Sequence, residues 1–278
     1  MEFRPSRFEI LPTVIKNLLI INVLCFLAQE TFNSPNLAFS IEDTFALHAW
    51  QSELFKPWQL ITHLFMHGTW THIFFNMLAL WMFGSVLENV WGSRRFLVFY
   101  LVCGLGAALI HLLFLSYEMM PLMRDYSAVI QEQASATGHY PALTNFIDKY
   151  PMGFIEKDNL LRYLRDGLVP EGTYNDLIRK VNNYYQGSLN GATVGASGSV
   201  FGILAAFGYL FPNTYIYIYM LIPVKAKWVV LFYGAVELWE GIRNSAGDNV
   251  AHWAHIGGAI VGLLIVITWN KGNRRNFY

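Results

Sequence analysis

The sequence predicts an all-α polytopic membrane protein, with six transmembrane helices and a soluble helical insertion between helices 3 and 4. Three observations carry that prediction. Of 278 residues, 54% are hydrophobic and only 14% charged, against about 25% charged in an ordinary soluble domain; the mean hydropathy is +0.34. Six apolar runs come near the roughly 20 residues that a helix needs to cross a bilayer. None alternates apolar and polar residues as a barrel strand would. The same figures exclude other classes. Nineteen basic and nineteen acidic residues cancel, so no basic surface marks a nucleic-acid partner. Disorder needs low hydrophobicity and high charge. Cys25 and Cys103 sit in apolar runs, which is no disulfide framework.

The first span covers about 11–31, around LLIINVLCFLA. It lacks a small-x-small cleavage site after its apolar core and is expected to be an uncleaved span rather than a signal peptide. Acidic Glu2 and Glu9 argue against a mitochondrial transit segment. The second span is 72–91 and the third 96–117. Residues 118–190 then hold 16 of the 38 charged residues, seven basic and nine acidic. Stretches such as DNLLRYLRDGL and TYNDLIRKVNNYYQ place apolar residues at helical spacing, so short amphipathic helices are expected there. The fourth span is 195–211, the fifth about 226–242 and the sixth 252–269. The expected organisation is a six-helix unit from 1–117 and 191–278, interrupted by an extramembrane insertion at 118–190.

Orientation follows the basic residues of the short loops. With the N-terminus inside, the inner side receives Arg4, Arg7, Arg94, Arg95, Lys225, Lys227, Lys271, Arg274 and Arg275. The outer short loops receive only Lys56 and Arg243. Both termini are therefore expected in the cytoplasm of a bacterial inner membrane, with the insertion outside.

Polar groups inside a bilayer are costly and mark function by default. Span two carries His72 and Asn76, preceded by His63 and His67. Span four begins Gly195-Ala196-Ser197-Gly198-Ser199. Span six carries His252 and His255, then Gly257, Gly258 and Gly262. Measured along each helix from its inner end, Ser197, His255 and Asn76 lie roughly 21–23 Å up. In a core about 30 Å thick, all three fall at one level below the outer face. A nucleophile, a base and an amide donor thus share a depth. Serine attacks only when a neighbouring base takes its proton, and histidine is the usual base. Asn76, His72 and the Ser197 backbone N–H are candidate oxyanion donors, the last at a helix start where N–H groups are free. Gly198-xxx-Gly202 and Gly258-xxx-Gly262 are small-residue faces that allow spans four and six to pack closely.

Taken alone, Ser197 reads as a helix-packing serine; His255, His72 and Asn76 at matching depth turn the reading to chemistry. His252 is the competing base, one turn nearer the surface and without the glycine spacing. His72 and Asn76 also fit a structural hydrogen-bond network. His63, His67 and His111 are expected to be structural, with His67 tying the outer loop to span two. Glu88 is expected to meet backbone donors or Arg94 and Arg95. Glu237 fits a cavity wall, a gate or a plain polar contact.

These motifs resemble those of the rhomboid family of intramembrane serine proteases. Gly195-x-Ser197-Gly198 is similar to its nucleophile motif, and His255-xx-Gly258-xxx-Gly262 to the motif of its catalytic histidine. His67-xxxx-His72-xxx-Asn76 is similar to its oxyanion-side signature. The resemblance covers the six spans and leaves out the insertion. It implies cleavage of transmembrane protein substrates by a Ser197–His255 dyad, with His72 and Asn76 at the oxyanion, no aspartate, no metal and no cofactor. It further implies a water-filled cavity open to the outside, a preference for small residues at the cleavage point, and access through the outer end of span five and the loop before span six. Trp58 matches the tryptophan of a family Trp-Arg pair, with Gln59 in the arginine position. Phe201 matches a tyrosine that packs on the histidine and keeps the stacking without the hydroxyl. Transmembrane substrates and membrane lipids are the expected partners, and the oligomeric state is not legible.

Three other functions compete. An inactive relative that binds and escorts membrane proteins would usually lack the serine or histidine, and both are here. A metal-dependent membrane oxidase or hydroxylase would need clustered ligands; the eight histidines include no adjacent pair and no His-Glu-xx-His. A transporter would show an inverted repeat with broken helices, and none is visible.

Overall fold

The computed structural model describes residues 8–32, 40–135, 140–218, 221–243 and 250–272. Glu2, Arg4, Arg7, Arg274, Arg275 and residues 244–249 of the last outer loop lie outside the described residues. The chain divides into two units: residues 1–48, 54–114 and 192–278 form the first, residues 49–53 and 115–191 the second.

In the first unit, helix α1 (Thr13–Phe32) starts on a carboxylate from elsewhere in the chain. The backbone N–H groups of Val14 and Ile15 donate to the two oxygens of Glu88, each at 2.9 Å, and the Ser93 hydroxyl donates to the same group at 2.6 Å. First-turn N–H groups have no partner within their own helix, and the positive helix end favours an anion. Glu88 therefore meets backbone donors, one of the two expectations for it. Helix α2 (Ile41–Phe45), helix α3 (Gln59–Thr62) and a 3₁₀ turn at His63–Phe65 lie in the first outer loop. Helix α4 (Trp70–Ala79) opens on Thr69, whose Oγ1 accepts from the His72 N–H at 3.1 Å. It continues through a π turn at Leu80–Gly84 into α5 (Ser85–Trp91).

Helix α6 (Ser93–Ser135) is 43 residues long. Its span is expected to end near residue 117, but the helix runs on through Pro121. Proline removes one N–H donor from the ladder. Leu122 and Val129 beyond it are buried in the second unit's core, which offsets that loss.

Helix α10 (Ser197–Leu210) is the centre of the first unit. Its buried residues include Gly198, Ser199, Val200, Phe201, Ile203, Ala205 and Ala206, which cover every side of the helix. A helix that is apolar all round belongs inside a bundle. An antiparallel hairpin follows, β1 (Tyr215–Ile218) on β2 (Ile222–Lys225). This adds strands to a chain expected to be all helix; alternating tyrosine and isoleucine suit a pleated ribbon. Helices α11 (Ala226–Arg243) and α12 (His252–Gly272) both pack on α10.

The α10–α12 contact depends on glycine. A Cβ on Gly262 would lie 2.7 Å from the Gly202 Cα, and one on Gly258 would overlap the Gly198 carbonyl. The two small-residue faces meet.

Among the described residues, four helices are long and apolar enough to cross a membrane: Thr13–Phe32, Trp70–Trp91, the stretch within Ser93–Ser135, and His252–Asn270. Helix α10 is apolar but has 14 residues. Helix α11 carries Lys227, Glu237, Glu240 and Arg243. Large side chains such as Phe74, Phe75, Phe232, Trp239 and Leu264 are exposed on these helices. Apolar patches of that kind are rare on water-soluble monomers, and the chain is an integral membrane protein.

In the second unit, α7 (Pro141–Lys149), α8 (Lys157–Arg165) and α9 (Glu171–Leu189) are amphipathic. Their apolar faces, with the C-terminal part of α6, bury Leu122, Val129, Phe146, Ile147, Leu164 and Val181 in a core of their own.

Candidate active site

The approach to Ser197 is fixed before the helix begins. Leu47 and Thr193 exchange backbone hydrogen bonds of 2.9 and 2.8 Å. The Thr193 hydroxyl bonds His111 Nε2 at 2.9 Å. The Gly195 N–H donates to the His63 carbonyl at 2.9 Å, and the His63 ring bonds the Gln59 carbonyl at 2.7 Å. Gly195 itself has φ +131°, which L side chains rarely adopt. A Cβ there would also lie 2.9 Å from His72 Nε2. Only glycine fits, and the turn delivers Ser197 as the first residue of α10.

His255 lies in the first turn of α12. Its Nε2 is 2.8 Å from Ser197 Oγ. The glycine-on-glycine packing brings the two helix starts this close. On the ring's other side, Nδ1 is 2.8 Å from Glu237 Oε2. The same oxygen is 2.6 Å from His252 Nδ1. Glu237 is 6% exposed. Phe201, one turn beyond Ser197, stacks on the His255 ring with centres 4.3 Å apart and also faces Tyr233 at 5.1 Å. Of the two candidate bases, His255 meets the serine; the Nδ1 of His252 is turned to Glu237. Glu237, His252 and His255 also offer one metal-ligand atom each within 4.8 Å of one another.

His72 borders the site across Gly195. The Gly68 N–H points to His72 Nδ1 at 3.4 Å, which leaves Nε2 as the nitrogen carrying hydrogen, toward Gly195. Asn76 is one turn further on the same face. It is 6% exposed, and its Nδ2 has no hydrogen-bond partner among the described residues. A buried donor without an acceptor is costly and suits a group that arrives during reaction. Beside Ser197 a cavity of about 10 Å³ is lined by His63, His111, Thr193 and Gly195 among others, about the room of one water.

The remaining histidines sort differently. Burial holds His63 and His67 well below the ordinary histidine value, so both rings are neutral. The His67 backbone exchanges hydrogen bonds with the Gln29 side chain, at 3.0 and 3.2 Å. That ties the loop to α1, where span two is the expected anchor; a loop backbone takes whichever amide packs beside it. His67's ring sits 5.1 Å from that of His72, edge to face.

Two residues exceed what motif reading indicates. Glu237 is, in the sequence, one polar group with three open readings. Gln59 is fully buried and holds the outer loop: Oε1 accepts from the N–H groups of His48 and Lys56, and Nε2 donates to the carbonyls of Asp43, Thr44 and Leu54. An acidic residue in an apolar run signals the first. The second stands in the arginine place of the Trp-Arg pair, which marks its position but not its contacts.

Comparison with known proteins matches residues 54–130 and 172–271 to the Rhomboid domain family. The chain is 23% identical over 210 residues to Rhomboid protein 1, mitochondrial, of Saccharomyces cerevisiae, covering 74% of this chain and 40% of that one. It is 30% identical over 125 residues to Rhomboid protease AarA of Providencia stuartii, 44% of each. It is 30% identical over 89 residues to Rhomboid protease GlpG of Haemophilus influenzae, 30% of this chain and 43% of that one. The matched parts span less than half the length of each of these relatives.

Proposed function

The chain belongs to the rhomboid family, and on that premise we propose that it is an intramembrane serine endopeptidase that cleaves transmembrane substrates with the Ser197–His255 pair. The observation that carries this reading is the 2.8 Å approach of Ser197 Oγ to His255 Nε2. Ser197 Oγ attacks the scissile carbonyl carbon as its proton passes to Nε2. The resulting oxyanion takes hydrogen bonds from Asn76 Nδ2, His72 Nε2–H and the Ser197 backbone N–H. The C–N bond then breaks, and His255 returns the proton to the leaving amine. Water attacks the acyl ester, loses a proton to His255 and releases the second product, and Ser197 regains its hydrogen.

The membrane setting follows from length. Fourteen residues of α10 rise about 21 Å, short of a core about 30 Å thick, so Ser197 works below the outer face. Helices α10 and α11 are the fourth and fifth of six spans, with Glu237 of α11 buried inside the protein. The termini face the cytoplasm and the 118–190 insertion lies outside, as the excess of inner basic residues supports. The chemistry uses protein groups alone, with no cofactor or metal. The test is cleavage of a membrane-anchored reporter in liposomes: wild type cuts it and Ser197→Ala does not. A wild-type protein that cuts no such reporter would instead favour an inactive, membrane-protein-binding relative.

A further inference from the structure

A serine–histidine pair works only when the imidazole presents a bare Nε2 to the serine, which requires the hydrogen on Nδ1. A free neutral imidazole carries it on either nitrogen. The family resemblance implies a dyad with no acidic member, yet in this chain a carboxylate stands behind the ring. Glu237 Oε2 is 2.8 Å from Nδ1, while Nε2, on the far side, is 2.8 Å from Ser197 Oγ. Carboxylate, imidazole and hydroxyl form one chain across α11, α12 and α10.

We infer that Glu237 is a positioning residue for His255, accepting the Nδ1–H hydrogen bond and thereby holding the ring in the tautomer and orientation that serve Ser197. The inference rests on the protease reading above. As Nε2 takes the serine proton the ring becomes an imidazolium, and its hydrogen bond to the carboxylate, until then charged on the acceptor alone, becomes charged on both sides and stronger. That difference between ground and charged states is what accelerates a reaction. The proton stays on Nδ1 throughout, and Glu237 does not touch the substrate.

Two further features support this role. A carboxylate buried in an apolar helix is expensive unless it is paired, and Glu237 is paired with the two histidines at the start of α12. His252 donates to the same oxygen at 2.6 Å, which fixes the carboxylate from a second side. His255 is held in the third direction by the Phe201 stack. A plain contact between helices would need only one of these bonds.

The test compares Glu237→Gln, Glu237→Ala and Glu237→Asp in the full chain reconstituted in liposomes, reading kcat and KM on the membrane-anchored reporter and thermal unfolding in parallel. Gln keeps the shape, and its carbonyl oxygen can still accept both hydrogen bonds, but it lacks the charge. It is expected to lower kcat about 10- to 100-fold, the scale of one charge-assisted bond, with KM and unfolding temperature near wild type. Asp, which keeps the charge, is expected to recover part of that loss, and Ala to recover none. A Gln variant with kcat within about twofold of wild type would overturn the inference. So would a loss of kcat that follows the unfolding temperature across all three variants, which marks a structural contact. Failure of the protease reading itself is seen separately, in a wild-type protein that neither cleaves the reporter nor reacts at Ser197 with a fluorophosphonate.

Discussion

The imidazole of His255 lies flat on the phenyl ring of Phe201, with 4.3 Å between centres and 8° between planes. One face of the base is thus set by stacking, and its two nitrogens are set by Ser197 and Glu237. Removing the stack frees the ring to tilt out of line with the serine. Phe201→Ala is expected to lower kcat about tenfold, the scale of an aromatic pair, while Phe201→Tyr, which keeps the ring, stays close to wild type. Reporter cleavage at saturating substrate decides it; an Ala variant at full kcat would show that the stack does not position the base.

The glycines between α10 and α12 set the Ser197–His255 distance. Gly258→Ala would drive a methyl group into the Gly198 backbone. A loss of about 1–3 kcal/mol is expected from overpacking, with cleavage falling further than stability because the helix starts separate. Gly187→Ala, where a Cβ meets open space, is the control and should cost nothing. Thermal unfolding in detergent, beside the cleavage rate, reads both.

Asn76 gives the opposite signature. Its Nδ2 bonds nothing among the described residues, so Asn76→Ala should leave the unfolding temperature almost unchanged. Loss of an oxyanion donor is nonetheless expected to lower kcat roughly 100-fold or more. A kinetic loss that came only with an equal loss of stability would return Asn76 to a structural network.

Gln59 is expected to behave as a loop anchor. Gln59→Ala removes the amide that bonds backbone groups of His48, Lys56, Asp43, Thr44 and Leu54, while the Thr44 carbonyl keeps its bond from Trp58 Nε1. Unmet buried polar groups cost about 1–3 kcal/mol each. The variant should unfold at lower temperature and be cut by added protease within residues 43–59 more readily than wild type, as limited proteolysis followed by mass spectrometry would show.

Much of the candidate site is legible in the sequence because its residues sit in short motifs at fixed helical spacing. Ser197, His255 and the two α10–α12 glycine pairs can be placed by counting 1.5 Å steps along the helices. His72 and Asn76 follow from their i, i+4 relation. Glu237 is visible as a buried charge, but its partner depends on how α11 rotates against α12, which one helix's periodicity does not contain. Gln59 is harder still, because its five contacts are backbone groups whose positions exist only once the loop has folded. The continuity of α6 is hidden for a related reason: composition changes at residue 118, while helical hydrogen bonding does not depend on what surrounds the helix. The hairpin at 215–225 occupies a short stretch that reads, by composition, as a connection between spans.

The most direct measurement of the central claim is the site of covalent capture by a fluorophosphonate, which reacts only with an activated serine. Protein in native membranes is treated with the probe, digested and mapped by mass spectrometry. The adduct is expected on Ser197, absent in Ser197→Ala and strongly reduced in His255→Ala. Labelling at another serine, or labelling of Ser197 that is undiminished without His255, would contradict the account.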